Sequence, residues 1–537
     1  MKIALIQCPV WGTYDPPLGL AQLSGCLKKA GQEVFIFDLN IKLYRKRTQN
    51  YKDMWAWEQS SFWYNQGNVD GFFIANKSAI DDYVHKMLET GAGVFGFSVN
   101  AASRLASLKV AKMIKEVKKD AVIVFGGPQF FENKFVESAL NEGTVDYVIA
   151  DEAEIVLADL IQALENKKDV LSCRGVYFRK DGKTVFSGAA PVVNLDGLPY
   201  LDFSSLPLID YDDSRHIAFS ASRGCIQKCV FCSSRSFQPG YRAMSAVRIY
   251  KEIEFHKKEL SKINPDLYHV DFIDLMFNGN VKSLANFCEL LIKSDLHIFW
   301  TANMIIRPEM DKTVIKKMVK SGCEHIIFGI ESGSQRVLDL MKKHYHIQDA
   351  DRTIKLMSKA GIKVTANFMF GFPGETEDDF SLTLNFIKRN AQYLKRVYPS
   401  RTFFAIEEFS YISTHLDEFG IKPDFSNHLY WESYNGANVY PERLRRCEEF
   451  CKLASSLGIE VSCGVQTSVE LDRWFNLGHY YEYRKDFSKA LDCFLNYYKL
   501  DQNNEIITNK IRRYGSGINL AKQDINLEGI EYDSIAK

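Results

Sequence analysis

The sequence predicts an α/β fold in three parts: an N-terminal doubly wound parallel sheet, a central partial (β/α)6 barrel and a C-terminal helical region. Two observations support this prediction. Over residues 1–165 and again over 213–425, short apolar runs alternate with amphipathic helical patterns, which is typical of parallel sheets covered by helices. Over residues 426–537 helical spacing replaces the strand patterns. Residues 166–212 connect the first two parts.

The first part contains five predicted strands with helical patterns between them. Its first helix begins near Pro16 and ends at Gly31, a residue type that favours helix termination. The sequence has no G-x-G-x-x-G pattern here, which argues against a dinucleotide site. The predicted strands are Lys2–Val10, Val34–Asp38, Val94–Ser98, Val122–Phe125 and Tyr147–Ala150.

The ends of these strands supply the first candidate binding residues, because doubly wound sheets bind ligands beyond the carboxyl ends of their strands. Ser98 ends the third strand, and Gly126 and Gly127 follow the fourth. The acidic segment Asp151–Glu154 follows the fifth. The glycines would let a ligand approach the backbone. Ordinary sheet turns are the alternative interpretation.

Two segments interrupt the alternation of strands and helices. Residues 40–76 are rich in aromatic side chains and lack strand patterns, which indicates either a flap over a ligand or a helical cover packed on the sheet. In the connector, Arg174–Phe178 and Thr184–Phe186 flank the dipeptide Asp181-Gly182, which predicts a β-hairpin.

The central part opens with three closely spaced cysteines. Cys225, Cys229 and Cys232 have C-x3-C-x2-C spacing on a loop after the apolar run Ile217–Ser220. Three thiolates do not complete the four-ligand shell of a structural zinc site, whereas an iron–sulfur cube held by three cysteines keeps one iron open. Three inert buried cysteines are the alternative.

Acidic residues and glycines also lie at the ends of the later predicted strands. Asp274 follows the next predicted strand, Glu331 lies at the end of another, and the glycines Gly371 and Gly374 form a turn after a third. Counting the strand before the cysteines, the pattern gives about six βα units, fewer than the eight of a closed barrel. The strands predicted after the cysteine loop are Tyr268–Phe272, Ile298–Thr301, His325–Gly329 and Lys363–Phe370.

The C-terminal region contains the spacing of one tetratricopeptide-like repeat, a pair of helices with small residues at their crossing. One repeat cannot bury its own apolar face, so it packs on the barrel or binds a partner. The residues that define the repeat are Trp474, Leu477, Gly478, Tyr481, Ala490, Phe494 and Tyr498.

Composition limits the class of protein. Lys plus Arg (67) equals Asp plus Glu (67), so no excess of positive charge indicates nucleic acid or an anionic membrane as partner. No apolar run approaches the roughly 18 residues of a membrane span. The sequence from Met1 continues directly into a strand pattern, so we expect no signal peptide. Twelve cysteines without an export signal are expected to be thiols in the cytoplasm.

The cysteine motif, with Phe231 before its third cysteine, resembles that of the radical S-adenosylmethionine (SAM) enzymes. The segments Phe328–Ser334 (F-G-I-E-S-G-S) and Phe370–Thr376 (F-G-F-P-G-E-T) match recurring elements of that family. The resemblance implies that the three cysteines hold a [4Fe–4S] cluster whose open iron binds SAM. It implies SAM contacts for Asp274, Glu331, Gly371 and Gly374, although only one acid of the family's D-D-x-F pair is present.

The order of the parts resembles the radical SAM enzymes that carry an N-terminal cobalamin (B12)-binding domain. Pro16–Leu20, Gly126-Gly127-Pro128 and the acidic Asp151–Glu154 segment match the recurring pattern of that domain. The resemblance implies cobalamin binding, with Ser98, Gly126 and Gly127 at the nucleotide tail. The D-x-H-x-x-G motif of many B12 proteins is absent, and His85 is the only histidine among residues 1–165.

The resemblance implies a methyltransferase that acts on an unactivated carbon through a 5′-deoxyadenosyl radical and methylcobalamin. Its expected partners are a small-molecule or peptide substrate and an electron donor such as flavodoxin or ferredoxin. A cobalamin-dependent cyclase or rearrangement enzyme is the main alternative. A methylthiotransferase is disfavoured, because residues 1–165 offer only Cys8 and Cys26 for a second cluster, and a non-catalytic cobalamin or SAM sensor is also disfavoured. No residue stands out as a general base.

Overall fold

A computed structural model describes residues 1–56, 59–212, 216–237, 240–262, 269–400, 403–462 and 469–517. The chain forms two compact units: residues 1–223 with 241–302, and residues 224–240 with 303–537. The boundaries predicted at residues 165, 212 and 425 stay a prediction. Trp57 and Tyr268, which belong to predicted segments, lie outside the described residues, as does the end of the predicted C-terminal region after residue 517.

The helices and strands alternate along most of the chain. The strands are β1 Lys2–Gln7, β2 Glu33–Asp38, β3 Val94–Ser98, β4 Val122–Gly126, β5 Tyr147–Ile149, β6 Val176–Lys180, β7 Lys183–Phe186, β8 His216–Phe219, β9 Ser222–Arg223, β10 Arg242–Ala243, β11 His269–Phe272, β12 Phe299–Met304, β13 Cys323–Glu331, β14 Lys363–Phe368, β15 Arg396–Pro399 and β16 Glu460–Val461. The helices are α1 Leu18–Lys29, α2 Leu39–Arg45, α3 Ser60–Trp63, α4 Gln66–Ala75, α5 Lys77–Glu89, α6 Arg104–Val117, α7 Asn133–Asn141, α8 Ala153–Glu165, α9 Ser234–Phe237, α10 Ala246–Leu260, α11 Val281–Ile292, α12 Lys312–Lys320, α13 Gln335–Leu340, α14 Ile347–Lys359, α15 Glu377–Asn390, α16 Tyr411–Thr414, α17 Tyr440–Ser456, α18 Val469–Tyr483, α19 Phe487–Leu500 and α20 Glu505–Gly517.

The first sheet of the first unit has the order β2-β1-β3-β4-β5-β6-β7. Its first five strands are parallel, as predicted. After β1, the chain adds β2 on one side of the sheet and then adds β3, β4 and β5 on the other side. The direction in which strands are added therefore reverses between β1 and β3. In such sheets the crevice at the carboxyl ends of the two strands flanking the reversal is the usual ligand site. Gln7 and Ser98 are paired at this point.

The predicted hairpin is present, but it is part of the first sheet rather than a separate connector. β6 pairs antiparallel with β5, and β7 pairs antiparallel with β6. The turn residues Asp181 and Gly182 both have positive φ, at 50° and 76°, which suits a two-residue hairpin turn. Sequence periodicity does not reveal the difference, because it identifies strands without identifying their neighbours.

The aromatic segment between β2 and α5 is a helical cover that packs on the first sheet. The side chains of Trp63 and Phe72 are completely buried in the apolar core. Trp55 contacts Trp63 edge to face, with ring centroids 5.6 Å apart. Of the two interpretations drawn from the sequence, the structure supports the packed cover.

The remainder of the first unit contains three parallel strands. β11 pairs with β8 on one side and with β12 on the other, and α10 packs beside α11. The two-residue strands β9 and β10 form an antiparallel pair after β8. β9 leads directly into the cysteine loop, so its position determines where that loop starts.

The second unit contains a parallel strip, β13-β14-β15-β16. β15 was not among the predicted strands, because four residues of mixed polarity carry little periodicity. The predicted helix pair is confirmed by α18 and α19, where a Cβ on Gly478 would lie 2.3 Å from the Phe494 ring. Among the described residues, no helix is long and apolar enough to cross a membrane.

Candidate active site

The carboxyl edge of the first sheet brings Ser98 and Gly126 together as paired residues of β3 and β4. The neighbouring Gln7, at the end of β1, is 1% exposed. Its amide nitrogen donates to the Ser98 carbonyl oxygen at 3.3 Å. Its Oε1 is buried and has no hydrogen-bond partner among the residues that the structure describes. A buried acceptor without a donor costs about 1–3 kcal/mol, so this edge suits a ligand that donates hydrogen bonds.

Gly127 serves the packing of the chain itself. Its φ is +105°, and a Cβ at this position would lie 2.7 Å from the carbonyl oxygen of Val99. A Cβ on Gly126 would lie at an ordinary 3.4 Å from the carbonyl oxygen of Ile149. Close packing by the loop after β3 thus explains Gly127 without a ligand. The predicted ligand contacts of Ser98, Gly126 and Gly127 stay a prediction.

The acidic segment after β5 forms ion pairs with the two arginines of the β9–β10 pair. Arg223 contacts Glu154 and lies 3.1 Å from Glu152. Arg242 donates to the same Glu152 at 3.0 Å and to a main-chain carbonyl. Burial alone would raise the pKa of Glu152, but Arg242 and Arg223 outweigh it and lower that pKa. The acidic segment thus fixes β9, the strand that precedes the cysteines.

Asp274 lies just after β11 and is 2% exposed. Its carboxylate accepts a hydrogen bond from the Ser222 hydroxyl and another, at 3.2 Å, from the backbone NH of Ala221. Burial raises the pKa of Asp274 to about 6, although the hydrogen bond from Ser222 opposes the rise. In this structure Asp274 supports the start of the cysteine loop. Its predicted contact with SAM stays a prediction.

The three motif cysteines lie together on the loop from Gly224 onward, and none forms a disulfide. Cys229 is buried, while Cys225 and Cys232 are half-buried. The backbone NH of Gln227 points at the Cys225 sulfur at 3.4 Å, and the NH of Cys232 donates to the Cys229 carbonyl at 3.3 Å. The loop therefore folds back on itself and presents its thiols locally.

This thiol arrangement suits a cluster better than a single ion. In the described part of the chain, no three His, Cys, Asp or Glu side chains surround a point where one metal ion would bind. An iron–sulfur cube does not require such a point, because each thiolate binds its own iron atom. Burial raises the pKa of Cys229 to about 11, and a bound cation cluster would reverse this by favouring the thiolate.

Glu331 lies in the same unit, at the end of β13, and forms a buried ion pair. Its carboxylate Oε1 accepts a hydrogen bond from Lys343 Nζ at 2.9 Å. The two side chains are 10% and 8% exposed. Lys343 and Glu331 both act electrostatically on the Cys229 thiol, with opposite effects on its pKa. The structure thus places Glu331 and the cysteine loop in one neighbourhood.

The loop after β14 contains the predicted glycines. Gly371 and Gly374 have φ of +75° and +85°, which only glycine adopts without strain. The Gly371 NH donates to Glu375 Oε2 at 2.6 Å, and Arg446 contacts the same carboxylate at 3.0 Å. Burial raises the pKa of Glu375 to about 7, opposed by Arg446. The glycines shape this turn, and their predicted SAM contacts stay a prediction.

Sequence reasoning missed the charged partners of the candidate residues. Lys343 partners Glu331, Arg446 partners Glu375, and Arg223 joins the acidic segment to the cysteine loop. Each pair is separated by 12 or more residues, and an isolated Lys or Arg usually indicates a solvated surface. Only Arg223 carried a signal, since it directly precedes the motif Gly224–Cys232.

Comparison with known proteins identifies the domain family of the central part of the chain. Residues 219–387 match the model of the radical SAM superfamily. This range includes the three cysteines, Asp274, Glu331, Gly371 and Gly374. Members of this superfamily use a [4Fe–4S] cluster and SAM, so the prediction of these two cofactors is confirmed.

The chain is similar in sequence to two named proteins. An uncharacterized methyltransferase of Pyrococcus horikoshii, PH0819, is 26% identical over 401 residues, which is 72% of this chain and 78% of the relative. The anaerobic magnesium-protoporphyrin IX monomethyl ester cyclase of Rubrivivax gelatinosus is 25% identical over 360 residues, 62% of this chain and 61% of the relative. The two relatives therefore carry different reaction names.

Nearly the whole length of this chain shares its fold with a solved enzyme. The cobalamin-dependent SAM radical enzyme OxsB, determined with aqua-cobalamin and SAM bound, matches with a TM-score of 0.63 at 16% identity, covering 96% of this chain and 75% of OxsB. This confirms the predicted Rossmann-like domain, radical SAM domain and helical C-terminal region at the level of fold. The chain thus contains a radical SAM domain and shares the fold of a cobalamin-dependent radical SAM enzyme.

Proposed function

We propose that the protein is a cobalamin-dependent radical SAM methyltransferase that acts on an unactivated carbon. The observation that carries this proposal is the combination of a loop with three closely spaced cysteines near Glu331 and a reversed strand order in the first sheet. The first suits a cluster that binds SAM, and the second suits a large ligand at a strand-end crevice. Each half of the proposal thus rests on a different unit of the chain.

In this proposal Cys225, Cys229 and Cys232 hold the cluster. Glu331 accepts hydrogen bonds from SAM, and Gly371 and Gly374 shape the turn beside it. When bound, the cluster and SAM would supply the radical chemistry needed to remove a hydrogen atom from the substrate. The chain keeps the site dry and oriented: Cys229 is buried, and Asp274 holds the backbone that leads into the loop.

Cobalamin is proposed to bind at the carboxyl edge of the first sheet, where Ser98, Gly126 and Gly127 would meet its nucleotide tail. The unpartnered Gln7 Oε1 supports a hydrogen-bond donor at this edge. His85, the only histidine among residues 1–165, is exposed on α5, and its Nε2 lies 3.3 Å from Glu89 Oε1. We therefore expect cobalt to bind without a protein histidine. When bound, cobalamin supplies a transferable methyl group.

A second candidate is a cobalamin-dependent cyclase or rearrangement enzyme. It is favoured by the alignment with the Rubrivivax cyclase over 62% of this chain. The two candidates share the cofactors proposed above and differ in the product. A product with an added methyl group supports the methyltransferase, whereas a product of unchanged or hydrogen-depleted mass supports the cyclase.

The proposal includes two kinds of partner. A one-electron donor such as flavodoxin or ferredoxin would reduce the cluster, and the substrate would be a small molecule or a peptide. The balanced charge of the chain does not favour nucleic acid. A reducing cytoplasm suits both the thiols and an oxygen-labile cluster.

The test uses the full chain, purified and reconstituted without oxygen. The protein is supplied with iron, sulfide, cobalamin, a one-electron reductant and SAM carrying a deuterated methyl group. Mass spectrometry then follows 5′-deoxyadenosine and the label in candidate substrates. Transfer of the deuterated methyl group supports the proposal. Deoxyadenosine without any transferred label in a converted substrate contradicts the methyltransferase and favours the cyclase.

A further inference from the structure

We propose that Lys343 is a positioning residue for SAM recognition. It holds one oxygen of the Glu331 carboxylate and thereby directs the other oxygen toward SAM. The inference rests on the proposed SAM-binding function of Glu331 and adds a residue that the sequence motifs do not contain.

The first observation is the burial of a lysine. The Lys343 side chain is 8% exposed, and lysines are almost never fully buried unless they are paired. Its Nζ donates to Glu331 Oε1 at 2.9 Å and to the Gly329 carbonyl oxygen at 2.8 Å. Removing one partner of a buried pair leaves an uncompensated charge, which is strongly destabilising. The ammonium therefore has a fixed place, set by two acceptors.

The second observation is the unusual backbone of Glu331. Its φ is +68°, a left-handed conformation that costs a residue with a side chain roughly 1–2 kcal/mol. The strand pairing shifts between Gly329 and Glu331, so an extra residue sits in β13 here. Tyr345 secures the bulge by donating to the Ile330 carbonyl at 2.8 Å. Strained residues held in this way cluster at ligand sites.

The third observation is that the two carboxylate oxygens differ. Oε1 receives the Lys343 ammonium, whereas Oε2 has no hydrogen-bond donor within the described ranges. The Glu331 side chain keeps 10% of its surface exposed, and Oε2 is not among the buried unpartnered atoms. A carboxylate oxygen that is reachable and has no donor among the described residues suits the hydroxyl or ammonium donors of SAM.

The pair also lies beside the cysteine loop. Lys343 Nζ is 5.8 Å from the centre of the Phe231 ring, which sits between Cys229 and Cys232 in sequence. A Cβ on Gly329 would lie 2.4 Å from Glu331 Oε1, so this glycine leaves the room that the pair occupies. Lysine, glycine and glutamate therefore form one unit next to the place where SAM would bind the open iron.

A purely structural role for Lys343 makes a different prediction. A lysine that only stabilised the fold would lower the unfolding temperature and iron content of its variants, with SAM affinity following those losses. A positioning lysine acts through Glu331, so its effect on SAM affinity requires that carboxylate. A double-mutant cycle separates the two roles.

The experiment measures equilibrium binding of labelled SAM to the anaerobically reconstituted full chain, without reductant, so that SAM is not consumed. The variants are K343M, K343R, E331Q and K343M/E331Q, and K342Q, at the exposed neighbour, is the matched control. We expect K343M to weaken SAM binding about tenfold or more, in line with the loss of a charge-assisted interaction. We expect K343R to bind SAM with an affinity within about threefold of wild type, and K342Q to bind SAM as tightly as wild type. In the E331Q background, K343M should cause no further loss.

An equal loss from K343M with and without Glu331 would overturn the inference, as would K343M binding SAM like wild type. If K343M fails to hold iron, K343Q replaces it, and the Arg variant must then bind SAM more tightly than the Gln variant. Equal affinity of those two variants overturns the inference. Failure of wild type with a full cluster to bind SAM contradicts the proposed function itself, so the two failures are distinguishable.

Discussion

The carboxyl edge of the first sheet and the Glu331 neighbourhood of the second unit are built in opposite ways. At the sheet edge beside β1 and β3, a buried amide oxygen of Gln7 has no donor among the described residues, and Gly127 packs against Val99. Around Glu331 the charges are already paired, and the backbone is strained to hold them. The sheet edge thus keeps an unused hydrogen-bond acceptor, whereas the charges around Glu331 are already paired within the protein.

Removing a cysteine should produce the largest effect and should separate the two regions. C229A takes away one of three thiolates, so we expect loss of nearly all cluster iron and of SAM cleavage. Cobalamin binding at the first sheet should persist, because no residue of that edge changes. Iron analysis and the visible spectrum of bound cobalamin check this. C288A, at a buried cysteine outside the motif, is the control. Parallel loss of both cofactors in C229A would show that the regions depend on each other.

Acidity should affect the first sheet through Asp38, at the end of β2. Asp38 is 2% exposed, and burial raises its pKa to about 6 despite a hydrogen bond from the Tyr211 hydroxyl at 2.6 Å. An acid whose pKa is raised in the folded state makes its full contribution to stability below its unfolded pKa. That contribution is lost as the pH rises from about 4 to about 6, and the unfolding free energy falls by roughly 3 kcal/mol.

Chemical denaturation of wild type and D38N between pH 4 and 6 measures this contribution. The unfolding free energy of wild type should fall relative to that of D38N as the pH increases. A constant difference between the two proteins would mean that Asp38 titrates normally and that its burial is balanced by its hydrogen bonds.

Substitution of Gly127 should test whether the glycine serves the chain or a ligand. G127A places a Cβ 2.7 Å from the Val99 carbonyl oxygen at a φ of +105°. We expect a loss of about 1–3 kcal/mol in unfolding free energy from the strained backbone, even without cobalamin. G12A is the matched control, because a Cβ there meets nothing within 4 Å. If G127A is as stable as wild type but binds cobalamin weakly, the ligand rather than the packing requires the glycine.

The ion pairs of Arg223 should give the smallest effect. Arg223 is 19% exposed and contacts Glu152 and Glu154, so R223Q removes partly screened pairs and should cost about 1–2 kcal/mol. K262Q, which removes an exposed pair with Glu259, should lower the unfolding free energy by less than R223Q does, because solvent screens that pair. Unfolding in urea measures both. Equal losses in the two variants would argue against a fixed position for β9.

The sequence was informative where a local pattern determines the structure. The alternation over residues 1–165 predicted the parallel sheet, and Asp181-Gly182 predicted the hairpin turn, because period and turn chemistry are local properties. The pairing of the hairpin with β5 depends on contacts that periodicity does not encode. The cysteines were found by their spacing, which is also local.

The charged partners of the candidate residues could not be predicted, because local sequence patterns do not encode contacts between distant residues. Lys343 looks like any surface lysine in the sequence, and its burial results from the bulge at Glu331 and the turn that follows α13. Gly127 was singled out as a position where a ligand approaches the backbone, and the structure shows that a Cβ there would lie 2.7 Å from the carbonyl oxygen of Val99. Motifs thus identify where the backbone is unusual, and only the fold identifies what it approaches.

We propose that one chain holds both an iron–sulfur cluster and cobalamin. To test this, the full chain is reconstituted without oxygen, cobalamin is added, the excess is removed, and iron and cobalamin are measured per chain. We predict about four iron atoms, as one cube requires, together with about one tightly bound cobalamin. Four iron atoms without cobalamin would contradict the claim and leave a radical SAM enzyme whose first sheet has another ligand.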